Sequence, residues 1–331
     1  MISSTGLGDK IGDYILSTGF SAVGNCRWAI VTKEGKSYFL KEFLRPKYPP
    51  PYLKDEVRKQ KLDRCRKFER HHKRLLSNLT TICIPGGNIV APVDFFRFGL
   101  IYYHVSPKVD AALIKPEEFS TLTEGTKAIL IKTVINSIEI LHRSHIVHCD
   151  LKPDNVLIHK TATENLVSKV IDLDGAFFED DVPDPDDMQF DQQYMAPEIL
   201  LYNQKDVSKK VNLSTAADVF SLGLIFFEFW TGIRVQYDRG RFGDPASTLI
   251  EGGKLSWDRS RVPTVLGDTI EAMLNLEPAV RPSIIQVGKR LSTLGLSKPA
   301  MGVEGSDRTL ASSPSPSTAK VSIRFSKNLV R

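Results

Sequence analysis

An α+β chain of two lobes, a small strand-rich lobe followed by a larger helical one, is predicted by three observations. Short apolar runs broken by turn signals fill about the first hundred residues, with Lys33-Glu34-Gly35-Lys36 and Pro85-Gly86-Gly87-Asn88 as the clearest breaks. One long helix interrupts these strands. After the breaker Pro49-Pro50-Pro51, the residues Leu53, Val57, Cys65, Phe68, Leu75 and Leu79 recur at helical spacing, which sets the expected helix at about 53–79. Beyond about Pro107 the periodicity turns helical, with long apolar stretches at 120–143 and 214–232, the second capped by Ser214 with Thr215.

The 331 residues suffice for two lobes with buried cores, and 41% hydrophobic with 25% charged residues excludes disorder throughout. The chain has no uncharged apolar run of about 18 residues and no basic-then-apolar leader pattern, so a cytoplasmic protein without a membrane anchor is expected. Cys26, Cys65, Cys83 and Cys149 are scattered, with no paired spacing for zinc or a redox dithiol, and read as reduced thiols. Of the formal +5 charge, residues 298–331 supply most, with six Lys/Arg against two acids, so nucleic acid is not an expected partner. From 297 to 331 the composition is rich in Ser, Pro and Gly and predicts a flexible tail. Charge inside the domain is polarised: residues 53–74 hold ten Lys/Arg and four acids, and residues 172–198 hold ten acids and no Lys/Arg.

The run His148-Cys149-Asp150-Leu151-Lys152-Pro153-Asp154-Asn155, followed by Val156-Leu157-Ile158, sets a carboxylate and an amide oxygen five residues apart before a strand. Val170-Ile171-Asp172-Leu173-Asp174-Gly175 then delivers a second carboxylate from the end of a buried apolar pair. Tyr194-Met195-Ala196-Pro197-Glu198, Asp218-Val219-Phe220-Ser221-Leu222-Gly223 and Glu277-Pro278-Ala279-Val280-Arg281-Pro282 follow in order. Together these runs resemble the eukaryotic-type Ser/Thr protein kinase family, with His-Cys-Asp in place of His-Arg-Asp and Asp-Leu-Asp in place of Asp-Phe-Gly.

The resemblance implies a two-lobed protein-kinase-like fold over about residues 10–294, N-lobe about 10–105 and C-lobe about 106–294. It implies transfer of the γ-phosphoryl group of ATP to protein hydroxyls, with Mg²⁺ as cofactor. Asp150 would orient the attacking hydroxyl, Lys152 would neutralise charge on the migrating group, and Asn155 and Asp172 would ligate the metal. Glu198 is expected to pair with Arg281, and Asp218 to begin the central helix of the large lobe.

The small lobe matches less closely. Tyr38-Phe39-Leu40-Lys41-Glu42-Phe43 places Lys41 on a strand, where it would orient the α- and β-phosphates with an ion-pair partner from the long helix, Glu69 being favoured over Glu56 by the apolar spacing of Phe68 and Leu75-Leu76 around it. Leu16-Ser17-Thr18-Gly19-Phe20-Ser21-Ala22-Val23 stands where a glycine-rich loop belongs but keeps one glycine. The implied nucleotide site comprises Gly19, Val23, Lys41, Glu69, a hinge at Tyr103 to Ser106 with Val105, and Leu157, Asn155 and Asp172. Phe39 where alanine is usual and Asp174 where glycine is usual motivate an alternative, a pseudokinase or ATP-binding scaffold. A small-molecule kinase is disfavoured by the Lys152-Pro153 and Pro197-Glu198 pairs.

Cys149 replaces the arginine that receives an activation-loop phosphate in many kinases, and no Ser or Thr lies between Asp172 and Glu198, which predicts activity without activation-loop phosphorylation. The acids from Glu179 to Asp187 would either draw Lys/Arg-flanked substrates or pair with the basic helix, which otherwise offers a face to an acidic partner. Asp191 is expected to compete for Lys152 or raise the pKa of Asp150, and His71 and His72 are read as solvated helix residues, not a metal pair.

Overall fold

Glu34 and Gly35 both adopt positive φ (51° and 74°), the geometry of a two-residue hairpin turn whose twist matches that of its strands. They join two strands of the first of the two lobes in the computed structural model, which describes residues 6–23, 26–109, 116–119, 121–204 and 212–295. The stretch read as a tail lies outside the described residues.

In the first lobe, β1 (Lys10–Ile11), β2 (Tyr14–Leu16), β3 (Ser21–Val23), β4 (Cys26–Lys33) and β5 (Lys36–Phe43) precede helix α1 (Asp55–Ile82), which is followed by β6 (Asp94–Phe98) and β7 (Ile101–Pro107). The strands form one seven-stranded antiparallel sheet in the order β1-β2-β4-β5-β7-β6, with β3 beside β4. Alternation along β5 fixes its two faces. Leu40 joins Ala29, Val31, Tyr103 and Val105 in one apolar cluster, whereas Phe43 packs with Phe95, Tyr102 and the α1 residues Cys65, Phe68 and Leu76 on the other. Lys41 lies on the α1 side, directly opposite His104 of β7.

The second lobe contains α2 (Pro116–Phe119), α3 (Glu124–Arg143), β8 (Ile146–Val147), β9 (Val156–Lys160), β10 (Leu166–Val170), β11 (Phe177–Phe178), α4 (Pro197–Asn203), α5 (Ala216–Thr231), α6 (Pro245–Ile250), α7 (Thr264–Met273) and α8 (Ile284–Arg290). Its core forms around α5, which is buried from Ala217 to Thr231, so a helix apolar on every side finds neighbours on every side. The 120–143 helix starts at Glu124 because the Thr123 hydroxyl accepts the Thr126 amide at 3.2 Å. Ser214, not Thr215, supplies the hydroxyl at the start of α5, accepting the Ala216 amide at 3.3 Å. Among the described residues, no helix is long and apolar enough to cross a membrane. The two lobes, one strand-rich and one helical, are the architecture that the sequence predicts.

Candidate active site

The loop between β8 and β9 is held from behind by Asp218, on the first turn of α5. Its carboxylate accepts the His148 amide at 2.8 Å and the Cys149 amide at 3.0 Å, and lies 3.0 Å from His142 Nε2. These bonds hold Cys149 at φ 70°, a left-handed conformation unfavourable for a residue with a Cβ. The turn presents Asp150, whose Oδ2 accepts from Lys152 Nζ at 2.7 Å and from Asn155 Nδ2 at 3.1 Å. Its Oδ1 is buried with no hydrogen-bond partner. Burial raises the Asp150 pKa, Lys152 opposes this, and Asp172 adds to the rise. Asn155 also donates to the Asp150 carbonyl at 2.7 Å, so its Nδ2 is committed to the loop and its Oδ1 is the atom available to a cation.

Lys41 faces this loop from the sheet. Its Nζ lies 2.8 and 3.0 Å from the Asp172 oxygens and 2.7 Å from Asp174 Oδ2. Two residues after β10, Asp172 adopts φ 60° with its carboxylate on the lysine, and Asp174 Oδ1 meets His104 Nδ1. Burial works against the Lys41 ammonium, but Asp174 and Asp172 outweigh it and hold its pKa above the ordinary lysine value. Burial likewise opposes the Asp174 carboxylate, and Lys41 and His104 outweigh it to hold its pKa far below the usual range.

Two lysines, three carboxylates and an amide thus converge from both lobes. The protein kinase domain family matches residues 86–290. The chain belongs to the protein kinase family. It is 32% identical over 154 residues to a Dictyostelium discoideum protein named "probable serine/threonine-protein kinase", covering 44% of this chain and 14% of that one. It is 26% identical over 203 residues to calcium-dependent protein kinase 4 of Plasmodium falciparum, covering 59% and 36%. To the ovarian-specific serine/threonine-protein kinase Lok of Drosophila melanogaster it is 29% identical over 170 residues, covering 50% and 34%. The matched regions span well under half of these relatives' own lengths.

The family match begins after Lys41 and α1, and the kinase's small lobe is where the structure corrects the sequence expectations. Glu69 does not pair with Lys41: it accepts the Tyr102 hydroxyl at 2.7 Å and lies 4.0 Å from Lys73. Tyr103 and Val105 do not line an adenine site as hinge residues. The β7 strand runs on to Pro107 in register with Tyr38, so Tyr103 and Val105 fall on the Leu40 face, inside the apolar cluster. Phe39, two residues before Lys41, stacks on Trp28 with ring centroids 5.1 Å apart. In the turn before β3, the Ser17 and Thr18 amides donate to the Ile30 carbonyl at 2.9 and 3.2 Å, so two amides that a phosphate loop would offer are already used. Gly19 is exposed in that turn with open space around it, Val23 ends β3 opposite Cys26, and Leu157 points away from the core that Val156 and Ile158 enter.

Asp191 engages neither Lys152 nor Asp150. Its Oδ1 accepts the Gln193 amide at 2.8 Å, while Lys152 is held by Asp150. The predicted pairing of Glu198 with Arg281 is present, bidentate at 2.6 and 2.8 Å. The acidic run lies against α1: Arg64 pairs with Asp187, Lys67 with Asp184 at 3.5 Å, and Arg74 with Asp180 at 2.9 Å and Asp181 at 3.8 Å. Arg74 also stacks over Phe178 at 3.8 Å. Three of the ten basic residues at 53–74 therefore face this chain's own acids.

His71 and His72 are not solvated. His71 Nε2 lies 2.9 Å from the Ala176 carbonyl, and His72 is 2% exposed, packed on Phe68 and Phe95 with ring centroids 4.2 and 4.9 Å away. Burial, then the nearby His104 and His71, holds the His72 pKa well below the ordinary histidine value. A depressed folded pKa gives stability that is present above the unfolded value, about 6.5, and lost as pH falls below it. Urea unfolding between about pH 7.5 and 5.5 should show stability falling with acid, by up to about 1.4 kcal/mol per pH unit for this site. His72→Leu should flatten that slope; an unchanged slope would count against the assignment.

His104 and the lysine-binding role of Asp174 escaped the sequence reading. One signal was present, a histidine inside the apolar run Tyr102-Tyr103-His104-Val105 with an acid at the family's glycine position.

Proposed function

We propose that the chain is a serine/threonine protein kinase using Mg-ATP. The observation that carries this is Asp150: a carboxylate fixed through one oxygen by Lys152 and Asn155, with the other oxygen unpartnered. The Asp150 carboxylate, held in place by Lys152 and Asn155, accepts the hydroxyl proton of an incoming Ser or Thr as the hydroxyl oxygen bonds to phosphorus and the bond to the leaving ADP oxygen breaks. Lys152 keeps the carboxylate aimed and screens the charge gathering on the transferred group. Lys41 holds the phosphates that stay with the leaving group.

Asn155 and Asp172 offer two hard oxygen donors, which suits Mg²⁺, an ion that takes one or two protein ligands and completes its shell with phosphate and water. When bound there, the metal would neutralise phosphate charge. Ser/Thr preference follows the Lys152-Pro153 pair.

Radiolabelled ATP with a generic basic protein should label Ser and Thr in the presence of wild-type enzyme, and Asp172→Ala should abolish labelling. Nucleotide binding without transfer by the wild type would favour the scaffold reading, for which the committed Ser17 and Thr18 amides and the Phe39–Trp28 stack speak.

Activity is proposed to be independent of activation-loop phosphorylation. Tyr194, whose hydroxyl is the one candidate between Asp172 and Glu198, is buried and donates to Glu228 at 2.5 Å. Phosphatase treatment should leave specific activity within about twofold; a tenfold loss would refute this. Because Asp180, Asp181, Asp184 and Asp187 face α1, a preference for Lys/Arg-flanked substrates is the weaker of the two roles for the acidic run.

A further inference from the structure

We infer that Asp174, anchored by His104, is the carboxylate that positions Lys41 for the nucleotide phosphates, in place of a glutamate from the long helix. This rests on the kinase reading and deepens it.

The two carboxylates beside Lys41 are not equivalent. The Asp172 side chain is 31% exposed and that of Asp174 5%. Asp172 is therefore able to turn to a metal, whereas Asp174 is walled in. Each Asp174 oxygen has its own neighbour: Oδ2 the Lys41 ammonium at 2.7 Å, Oδ1 the His104 ring. The register explains the triad, because Lys41 and His104 are cross-strand partners on β5 and β7 and point to one side of the sheet. One acid arriving from the turn after Asp172 meets both.

The helix makes no competing offer. Glu69 is taken by Tyr102, and α1 sends His72 toward His104, at a ring separation of 5.6 Å. The residue able to replace the family's glycine is supplied one position later. Gly175 passes so close to Gln189 that an added Cβ would lie 3.1 Å from its carbonyl oxygen, so the tight approach survives while position 174 gains a side chain. The lysine's partner thus belongs to the 172–175 turn and not to α1, which touches the end of that turn through His71 at the Ala176 carbonyl.

Calorimetric affinities for ATP and for adenosine separate this role from a general structural one, because only ATP carries the phosphates that Lys41 meets. Asp174→Asn should weaken ATP binding about tenfold or more, because it removes the buried charge paired with the Lys41 ammonium, while adenosine affinity stays within about twofold. Asp174→Glu should recover part of the loss, and Glu69→Gln should change ATP affinity less than about threefold. Should Asp174→Asn fail to fold, Asp174→Glu and His104→Gln give the same comparison, each with a loss specific to ATP. Equal losses of ATP and adenosine, or a Glu69→Gln loss matching that of Asp174→Asn, would overturn the inference while leaving the kinase reading intact. A wild type that binds adenosine and ATP equally, or neither, would overturn both.

Discussion

Asp150→Asn is expected to lower kcat about a thousandfold while changing ATP affinity by less than about threefold, since a positioned general base contributes roughly 10²–10⁴. The amide keeps the size of the carboxylate and still fills the loop, but its remaining oxygen cannot take the proton of the incoming hydroxyl. The fold should not suffer. Burial raises the folded pKa of Asp150, and the stability a carboxyl shifted upward contributes is complete below its unfolded value and lost as pH rises through the folded one, so at neutral pH the ionised group costs the folded state. Replacing it with a neutral amide removes that cost, and Lys152, part-exposed, can turn to water. Melting temperature should therefore stay level or rise, as expected where function and stability compete. Steady-state kinetics beside differential scanning calorimetry checks both halves. A variant that keeps a tenth of wild-type turnover would remove Asp150 from the reaction.

The large lobe was legible because its motifs are local. Asp150, Lys152 and Asn155 lie within six residues, and the backbone between them fixes their relation before any tertiary contact is known. Asp172 and Glu198 follow in the same way, from the ends of short elements. The small lobe required a register. Whether Tyr103 or His104 faces the site depends on how β7 pairs with β5, and a shift of one residue exchanges the two faces. No stretch of sequence states that register. The choice of Glu69 failed for a related reason: helix α1 runs for 28 residues, and the face it buries is decided by Phe68, His72, Leu75 and Leu79 together. His72 looked polar enough for solvent, yet it lies on that buried stripe. The acidic run could have met a substrate or the helix on composition alone; only the fold shows Arg64, Lys67 and Arg74 one or more turns apart along the side facing it.

Arg281→Ala should be among the most destabilising single substitutions in the chain, by about 3–5 kcal/mol, the cost of breaking a buried ion pair from one side. The Arg281 side chain is fully buried and that of Glu198 is 6% exposed. Besides Glu198, the guanidinium donates to the carbonyls of Asn275 at 2.7 Å, Ala216 at 2.9 Å and Leu276 at 3.1 Å. Its removal therefore strands a carboxylate and three carbonyls. Glu198→Ala strands one cation that keeps those three acceptors, so it should cost less than Arg281→Ala, though still more than an exposed pair would. Losses of this size lower the melting temperature by roughly 10 °C in a domain of this length. In Glu198→Ala/Arg281→Ala the second substitution removes a group already left without its partner, so the combined loss should fall short of the sum by about 1–3 kcal/mol. Additive losses would mean that the pair contributes little beyond its separate contacts. The Ala216 carbonyl begins α5, two residues before the Asp218 clamp on the catalytic loop. Arg281→Ala should then lose turnover on warming before it loses far-ultraviolet ellipticity, because the clamp loosens ahead of the helices.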